Sequence, residues 1–289
     1  MLERESINFD TQICAVIGNP ISHSLSPAIH NAGYAAKELD FVYLPCQVED
    51  LAGMLAGVRA MHNFRGLSVT IPHKVAAMGL VDEVAEADRI IGSINTIVKE
   101  NGRLLGLGTD GPGALKALTD AGVDPNSRTV LLLGCGGAAR AIAFALALKT
   151  KVAELFLMDI DQQVLAGLAS DLKAHTSTKI AAEQFSAEAL AAAVGRADIV
   201  IHCTPVGMYP KQDVSLVPPE LFHPGQTVFD IVYNPLETRL LREAKERGLK
   251  TISGVEMFIN QAVLQFEHFT GGAAPEDIMR RVVMEHLTK

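Results

Sequence analysis

Several absences narrow this chain before any motif is read. It has no excess of basic residues: 25 Lys and Arg stand against 33 Asp and Glu, a formal net charge of -8. Broad nucleic-acid binding needs a basic face, so that class is set aside. A small anion, held by a few placed donors, is not excluded. The four cysteines (Cys14, Cys46, Cys135, Cys203) are scattered, with no CxxC or CxxH spacing to suggest a metal site. Cys14, Cys135 and Cys203 lie in or beside apolar runs and read as small buried hydrophobes, which suits a reducing cytoplasmic compartment. His23, His30, His62, His73, His202 and His223 lack ligand spacing with acidic or cysteine partners. They read as surface or capping residues, and no metal is expected. No apolar stretch reaches membrane-spanning length, the Ala-rich run over 138–148 included. The first ten residues are mostly polar, so no secretory leader is expected. No internal repeat and no low-complexity linker interrupts the chain.

What is present fits an ordinary globular protein. The 289 residues are 48% hydrophobic and 20% charged, enough for two domains with separate cores. Strands are expected over 14–18, 41–46, 67–71, 93–99 and 103–107, with helices over 27–38 and 51–61 and another starting at Pro72. Asn101-Gly102 between the last two strands is a hairpin signal. Further strands are expected over 129–133, 154–158, 198–203, 227–231 and 250–252, with helices between most of them. Such alternation gives a parallel sheet covered on both faces. From Val255 the chain reads as helical apart from 270–275, and Asp110-Gly111-Pro112-Gly113 reads as a turn at a domain junction.

Gly134-x-Gly136-Gly137-x-Ala139 follows a strand and opens a helix. Glycines in that context let backbone approach a pyrophosphate, whose charge the helix N-terminus attracts. A tight strand-helix turn with nothing bound is the plain alternative. Asp159 ends the next strand, where the ribose-binding carboxylate of a dinucleotide fold belongs. It would accept both ribose hydroxyls and repel a 2′-phosphate. Asp161 adds to that repulsion, and no Lys or Arg lies between Asp159 and Lys173. NAD is therefore favoured over NADP, unless Asp159 only caps the following helix.

Four polar clusters sit at strand ends or turns of the first third. Ser24 and Ser26 flank a helix start, a fitting place for a carboxylate, though one serine could simply cap the helix. Thr70 leaves a strand, and Lys74 is expected on the first turn of a helix, where the dipole disfavours a cation. Asn95 interrupts a β-branched run, and Thr109-Asp110-Gly111 marks the junction. A lysine beside a carboxylate can handle the proton in a hydride-transfer reaction; a plain surface lysine is the alternative.

The motifs SxSP, VTxPxK, INT, TDG, GxGGAAR, TPxGM, VYNP and QAxxQFExFTG run in that order along nearly the whole chain. In this order the sequence resembles the shikimate dehydrogenase family, including its quinate/shikimate relatives. The resemblance implies an α/β fold: an N-terminal substrate domain over 1–108, then a Rossmann-type doubly wound dinucleotide-binding domain over 109–254. Helices over 255–289 would return to the first domain. It also implies roles. Lys74 and Asp110 would be the catalytic pair. Ser24 and Ser26 would hold the substrate carboxylate with Thr70, Asn95 and Gln261 would bind ring hydroxyls, and Tyr233 would lie near nicotinamide and substrate. Gly134, Gly136, Gly137, Ala138, Asp159, Thr204, Met208 and Gly254 would line the cofactor. The expected partner is a small hydroxylated carboxylate, with no nucleic acid or membrane, and a homodimer left open.

Four positions and one short segment depart from the family pattern. Ser68 and Gly108 each replace an asparagine, Glu256 stands where a small residue is common, and Cys135 replaces an alanine. Glycine and asparagine both tolerate left-handed backbone, so the Gly108 change is expected to keep a turn and remove an amide. Met158-Asp159-Ile160-Asp161 lacks the basic cluster of NADP-selective members. An NAD-linked shikimate/quinate enzyme fits these departures better than the NADP-linked biosynthetic one. A quinate-preferring or aminoshikimate-type dehydrogenase is the alternative, and a non-catalytic NAD or metabolite sensor is the alternative of another class.

Overall fold

Alternating strands and helices build two six-stranded sheets in the computed structural model, which describes residues 7–22 and 24–288; His23 lies outside them. The first sheet comprises β1 (Gln12–Gly18), β2 (Phe41–Gln47), β3 (Phe64–Val69), β4 (Glu83–Val84), β5 (Thr96–Glu100) and β6 (Arg103–Leu107). Their order is β2-β1-β3-β5-β6-β4. β1 pairs parallel with β2 and β3, whereas β5 runs antiparallel to β3 and β6. The antiparallel pair closes through Asn101 and Gly102, both at positive φ (50° and 79°), as a two-residue hairpin requires. Helices α1 (Ser26–Ala36), α2 (Leu51–Ala60) and α3 (Glu86–Ile91) connect these strands. The apolar core includes Ile17, Leu55, Leu67, Ile94 and Ile97.

The second sheet contains β7 (Thr129–Leu133), β8 (Glu154–Asp159), β9 (Lys179–Gln184), β10 (Ile199–His202), β11 (Thr227–Asp230) and β12 (Lys250–Ser253). The order is β12-β11-β10-β7-β8-β9, and every pair is parallel. Chain direction across the sheet reverses between β7 and β10, the place where doubly wound folds bind ligands at the strand C-termini. The α/β expectation holds. α4 (Asp110–Asp120), α5 (Gly137–Lys149), α6 (Gln162–His175), α7 (Ala187–Val194) and α8 (Arg239–Glu246) complete this part. Asp161, Ser186 and Thr238 cap α6, α7 and α8 by accepting backbone N–H bonds. Each cap is worth about 1 kcal/mol. Leu131, Leu133, Val200 and Val228 fill the core between sheet and helices.

Two compact units result. One holds the chain up to Thr109 together with the segment from Gln261 onward; the other is Asp110–Asn260. The expected edges lay after residues 108 and 254. Helix α9 (Gly254–Thr270) carries the second edge within it, and α10 (Glu276–Leu287) packs on α1 in the first unit. Phe266, Phe269, Met279 and Val283 are fully buried there, so the C-terminal segment completes that core. Among the described residues no helix is long and apolar enough to cross a membrane.

Three expectations change. After Pro72 the chain turns, with His73 N–H on the Thr70 carbonyl at 2.9 Å, and forms only a 3-10 turn over Ala76–Gly79. The Lys74 carbonyl accepts from Ile94 at 3.0 Å instead of from a helical neighbour. The dipole argument for Lys74 therefore does not apply. Asp110 begins helix α4 and is not part of a junction turn; Pro112 falls in the first turn, where proline is tolerated. Finally, His30, His73 and His202 are buried, not surface residues. His30 stacks on Tyr43 with ring centroids 4.3 Å apart, among Tyr34, Phe266 and Phe269. Burial lowers its pKa to about 3, so the ring packs as a neutral aromatic.

Candidate active site

In the first unit the expected substrate residues gather at the C-terminal ends of β1 and β3. The Thr70 N–H donates to the Ile17 carbonyl at 2.9 Å, tying the two strand ends together. α1 starts with a proline in its first turn and no side-chain cap on Leu25, and the Ser24 hydroxyl accepts the Ser26 N–H at 3.3 Å. Ser26 is buried. Neither serine makes the simple cap that the plain reading allowed.

Asn95 is the hub. Its Oδ1 accepts from the Thr109 backbone at 2.7 Å and from Thr96 Oγ1 at 3.0 Å. Its Nδ2 donates to Thr109 Oγ1 at 2.9 Å and to Gln261 Oε1 at 3.4 Å. Asn95 and Gln261 are thus brought together. A second buried chain runs behind them. Tyr43 donates to Ser68 Oγ at 2.5 Å, Ser68 to Gln265 Oε1 at 2.7 Å, and Gln265 Nε2 to the Asn95 carbonyl and Thr96 Oγ1 at 3.1 and 3.0 Å. Burial pushes the Tyr43 hydroxyl's pKa up, and hydrogen bonds to Ser68 and Ser26 pull it partly back. A continuous polar belt therefore links Ser26 to Asn95 through Tyr43, Ser68 and Gln265. Sequence reasoning missed Tyr43 and Gln265 and gave Thr96 and Thr109 no role of their own within their motifs. The signal for Gln265 was available: it lies one helical turn beyond Gln261 on α9, and residues four apart share a face. Ser68 is no bare loss of an amide, because its hydroxyl is the link between two elements.

Gly108 has a different explanation from the one expected. Its φ is not positive, so left-handed backbone is not what it supplies. A Cβ there would stand 2.6 Å from Asp88 Oδ1, and the Gly108 N–H donates to Asp88 Oδ2 at 3.0 Å. The buried Asp88 carboxylate occupies the space beside the turn that leads to Thr109. Its desolvation raises its pKa, and the Gly108 N–H partly offsets this. Gly108→Asn should therefore be strongly damaging alone but far less so with Asp88→Ala. Contacting pairs commonly couple by about 0.5–3 kcal/mol. Denaturant unfolding of the four members of the cycle checks it, and additive effects would show that the two positions are independent.

Lys74 is half-buried on the turn after Pro72 in the first unit, and Asp110 is buried at the start of α4 in the second. Glu256 sits in the first turn of α9, where an acidic side chain opposes the helix dipole favourably.

The second unit carries the expected cofactor residues. Gly134 has φ 95°, and a Cβ there would lie 2.9 Å from Thr204 Cγ2 and 3.1 Å from the Cys203 backbone. No other residue fits without displacing that backbone. Gly136 is the opposite case: nothing lies within 4 Å of its Cβ position, and it caps α5 with no side-chain bond. The first N–H groups of α5, with Gly137 and the half-buried Ala138, therefore face room for an anion's oxygens. Asp159 Oδ2 accepts the Cys135 N–H at 2.6 Å, and Oδ1 accepts the Asp161 N–H at 2.9 Å. Asp161, not Asp159, caps α6. Burial and the nearby Asp159 charge push the Cys135 thiol up to about 12, so it is a packing group. Thr204 lies half-buried beyond β10, Met208 is exposed, and Tyr233 stacks on Phe258 with centroids 4.4 Å apart. Gly254 touches the Ile231 carbonyl so closely that any side chain would collide with it.

Comparison with known proteins follows the same division. Residues 16–97 match the model of the shikimate dehydrogenase substrate binding domain, and residues 254–284 match that of the shikimate 5'-dehydrogenase C-terminal domain. The chain is 39% identical over 287 residues to the shikimate dehydrogenase (NADP(+)) of Desulforamulus reducens, covering 98% of each. It is 41% identical to that of Moorella thermoacetica, covering 96% of this chain and 95% of the other. Among solved structures, shikimate 5-dehydrogenase from Listeria monocytogenes in complex with shikimate and NAD superposes with a TM-score of 0.89 at 34% identity, covering 96% of this chain and 98% of that one.

Proposed function

The chain belongs to the shikimate dehydrogenase family, and from that premise we propose that it interconverts shikimate and 3-dehydroshikimate with a nicotinamide dinucleotide, preferring NAD. The observation that carries this reading is the buried hydroxyl and amide belt from Ser26 to Asn95 and Gln261, in one chain with the open glycine cradle at Gly136.

The first unit acts as the substrate domain. Ser24 and Ser26 bind the carboxylate with help from Thr70, while Asn95 and Gln261 receive ring hydroxyls. The second unit is the dinucleotide domain. Pyrophosphate suits the uncapped start of α5, and ribose hydroxyls suit Asp159. Ile160, 76% exposed beside Asp159, offers an apolar face for the base. Thr204, Met208 and Gly254 border the nicotinamide side, with Tyr233 toward the substrate. A nicotinamide bound there would supply the hydride acceptor for the carbinol carbon. Lys74 takes the proton from the reacting hydroxyl, and Asp110 is the second member of the catalytic pair.

Four free cysteines suit a reducing cytoplasmic compartment, and light scattering of the purified protein distinguishes monomer from homodimer. Ser26 has the smaller hydroxyl side chain where a threonine would crowd the ring. Shikimate should therefore be turned over at least as efficiently as quinate. Steady-state assays crossing both substrates with NAD and NADP test the whole reading. Turnover confined to quinate would overturn the substrate assignment, and cofactor binding without turnover of either would indicate a sensor.

A further inference from the structure

The second unit contains a buried polar chain that the proposed chemistry does not use. His202 and Asp230 end the neighbouring strands β10 and β11, and their side chains are 1% and 0% exposed. His202 Nδ1 lies 2.9 Å from Asp230 Oδ1, which also accepts the Val232 N–H at 3.0 Å. The other carboxylate oxygen accepts from Thr238 Oγ1 at 2.6 Å. On the far side of the ring, Nε2 is hydrogen-bonded to Thr204 Oγ1, which in turn accepts the Val206 N–H at 3.2 Å. Six groups thus connect the two strand ends, the loop after β10, the loop after β11 and the cap of α8.

With the His202 ring neutral, each link in this chain has only one workable direction. A carboxylate accepts and does not donate, so the Asp230 oxygen facing the ring places a proton on Nδ1 of His202. In the neutral ring Nε2 is then an acceptor, and the only proton it can receive from its neighbour is that of the Thr204 hydroxyl. The Thr204 proton is committed inward. Its remaining lone pairs point outward, and one of them serves Val206.

We propose that His202 and Asp230 are positioning residues that fix the Thr204 hydroxyl as a hydrogen-bond acceptor toward the cofactor. This rests on the reading that Thr204 borders the cofactor. It assigns the matching ligand chemistry: a donor, meaning an amide N–H or ribose O–H, and not an anionic oxygen. Asp230 acts here through the ring, as a carboxylate that selects one tautomer of a histidine it touches.

Three measurements test this. In protein with 15N-labelled histidine and no cofactor, the His202 signal, assigned by its loss in H202N, should show the proton on Nδ1. A proton on Nε2 would overturn the proposal directly. In steady-state assays, D230L removes the acceptor that holds the proton on Nδ1, which frees the ring to turn its proton toward Thr204 and the Thr204 proton outward. KM for NAD should rise about tenfold, the scale of one lost hydrogen bond, with a smaller change in kcat. H202L should do the same, whereas H202N, whose amide can donate to Asp230 and accept from Thr204, should lose clearly less. Equal losses in H202L and H202N would mean that the position matters only for packing. T204V separates the proposal from its premise. If T204V leaves KM for NAD unchanged, Thr204 does not border the cofactor. If T204V raises it and D230L and H202L do not, polarity control by the dyad is wrong. Circular dichroism confirms folding of each variant, and the tautomer measurement on unmutated protein decides the matter if D230L does not fold.

Discussion

Lys74→Ala should lower kcat about a hundredfold to ten-thousandfold, the usual contribution of a general acid-base group. The loss should appear equally in kcat/KM, because proton transfer is an interaction made in the transition state and not in the ground state. KM for shikimate should change little by comparison. Ser24→Ala is the control, since a lost carboxylate contact weakens ground-state and transition-state binding alike. It should raise KM about tenfold while kcat stays within a few-fold. NAD binding should survive both changes, because the glycine cradle lies in the other unit. Steady-state kinetics on both variants, with folding confirmed, decide the matter. Near-normal turnover in Lys74→Ala would remove the lysine from the mechanism and leave Asp110 or solvent to carry the proton.

The second large effect concerns the cofactor. Wild-type protein should favour NAD over NADP by about a hundredfold in kcat/KM. A 2′-phosphate within about 4–5 Å of a carboxylate, at an effective dielectric near 20, meets a repulsion of about 3–4 kcal/mol for each unit of charge. Asp159 is only half-buried, so solvent reduces this, and about 2–3 kcal/mol corresponds to the stated ratio. Asp159→Ala should narrow the gap from both sides. It removes the repulsion for NADP, and it also removes the acceptor for ribose hydroxyls and for the Cys135 N–H. Relatives named for NADP(+) make this the sharper test, since the preference follows from residues of this chain and not from theirs. Equal or better efficiency with NADP would sink it.

The second sheet was legible in the sequence because its strands are short apolar runs between cap and turn signals. Thr129–Leu133 and Glu154–Asp159 stand where expected. β9 was not foreseen, since Lys179–Gln184 is an edge strand with no fully buried residue and no apolar run. Around Lys74 the local rule failed: proline can open a helix, but tertiary bonding of the Lys74 carbonyl to Ile94 claimed the group that a helix would have used. The buried histidines were hidden for a related reason. His30 carries no burial signal as a residue type, and only the helix brings it against Tyr43 and Phe266. The substrate belt was half legible. Motif residues such as Asn95 and Gln261 announce themselves, and i, i+4 spacing points from Gln261 to Gln265, but Tyr43 acts by long-range pairing that no spacing rule displays. Asp88 is the clearest case, since its meaning lies wholly in the missing Cβ of Gly108.

The split construction of the first unit sets an order of events during synthesis. Gln265 joins Ser68, Asn95 and Thr96, and Phe266 and Phe269 press against Gly33 and Gly66, yet all three come from the segment after Gln261. Asp110–Asn260, by contrast, is one uninterrupted stretch. Translation at about 5–20 residues per second delivers that stretch whole before Gln265 exists. The nucleotide half can thus take shape on the ribosome while the half made first waits, with a gap in its core where two phenylalanines belong. Until they arrive, its unfilled aromatic pocket leaves apolar surface open.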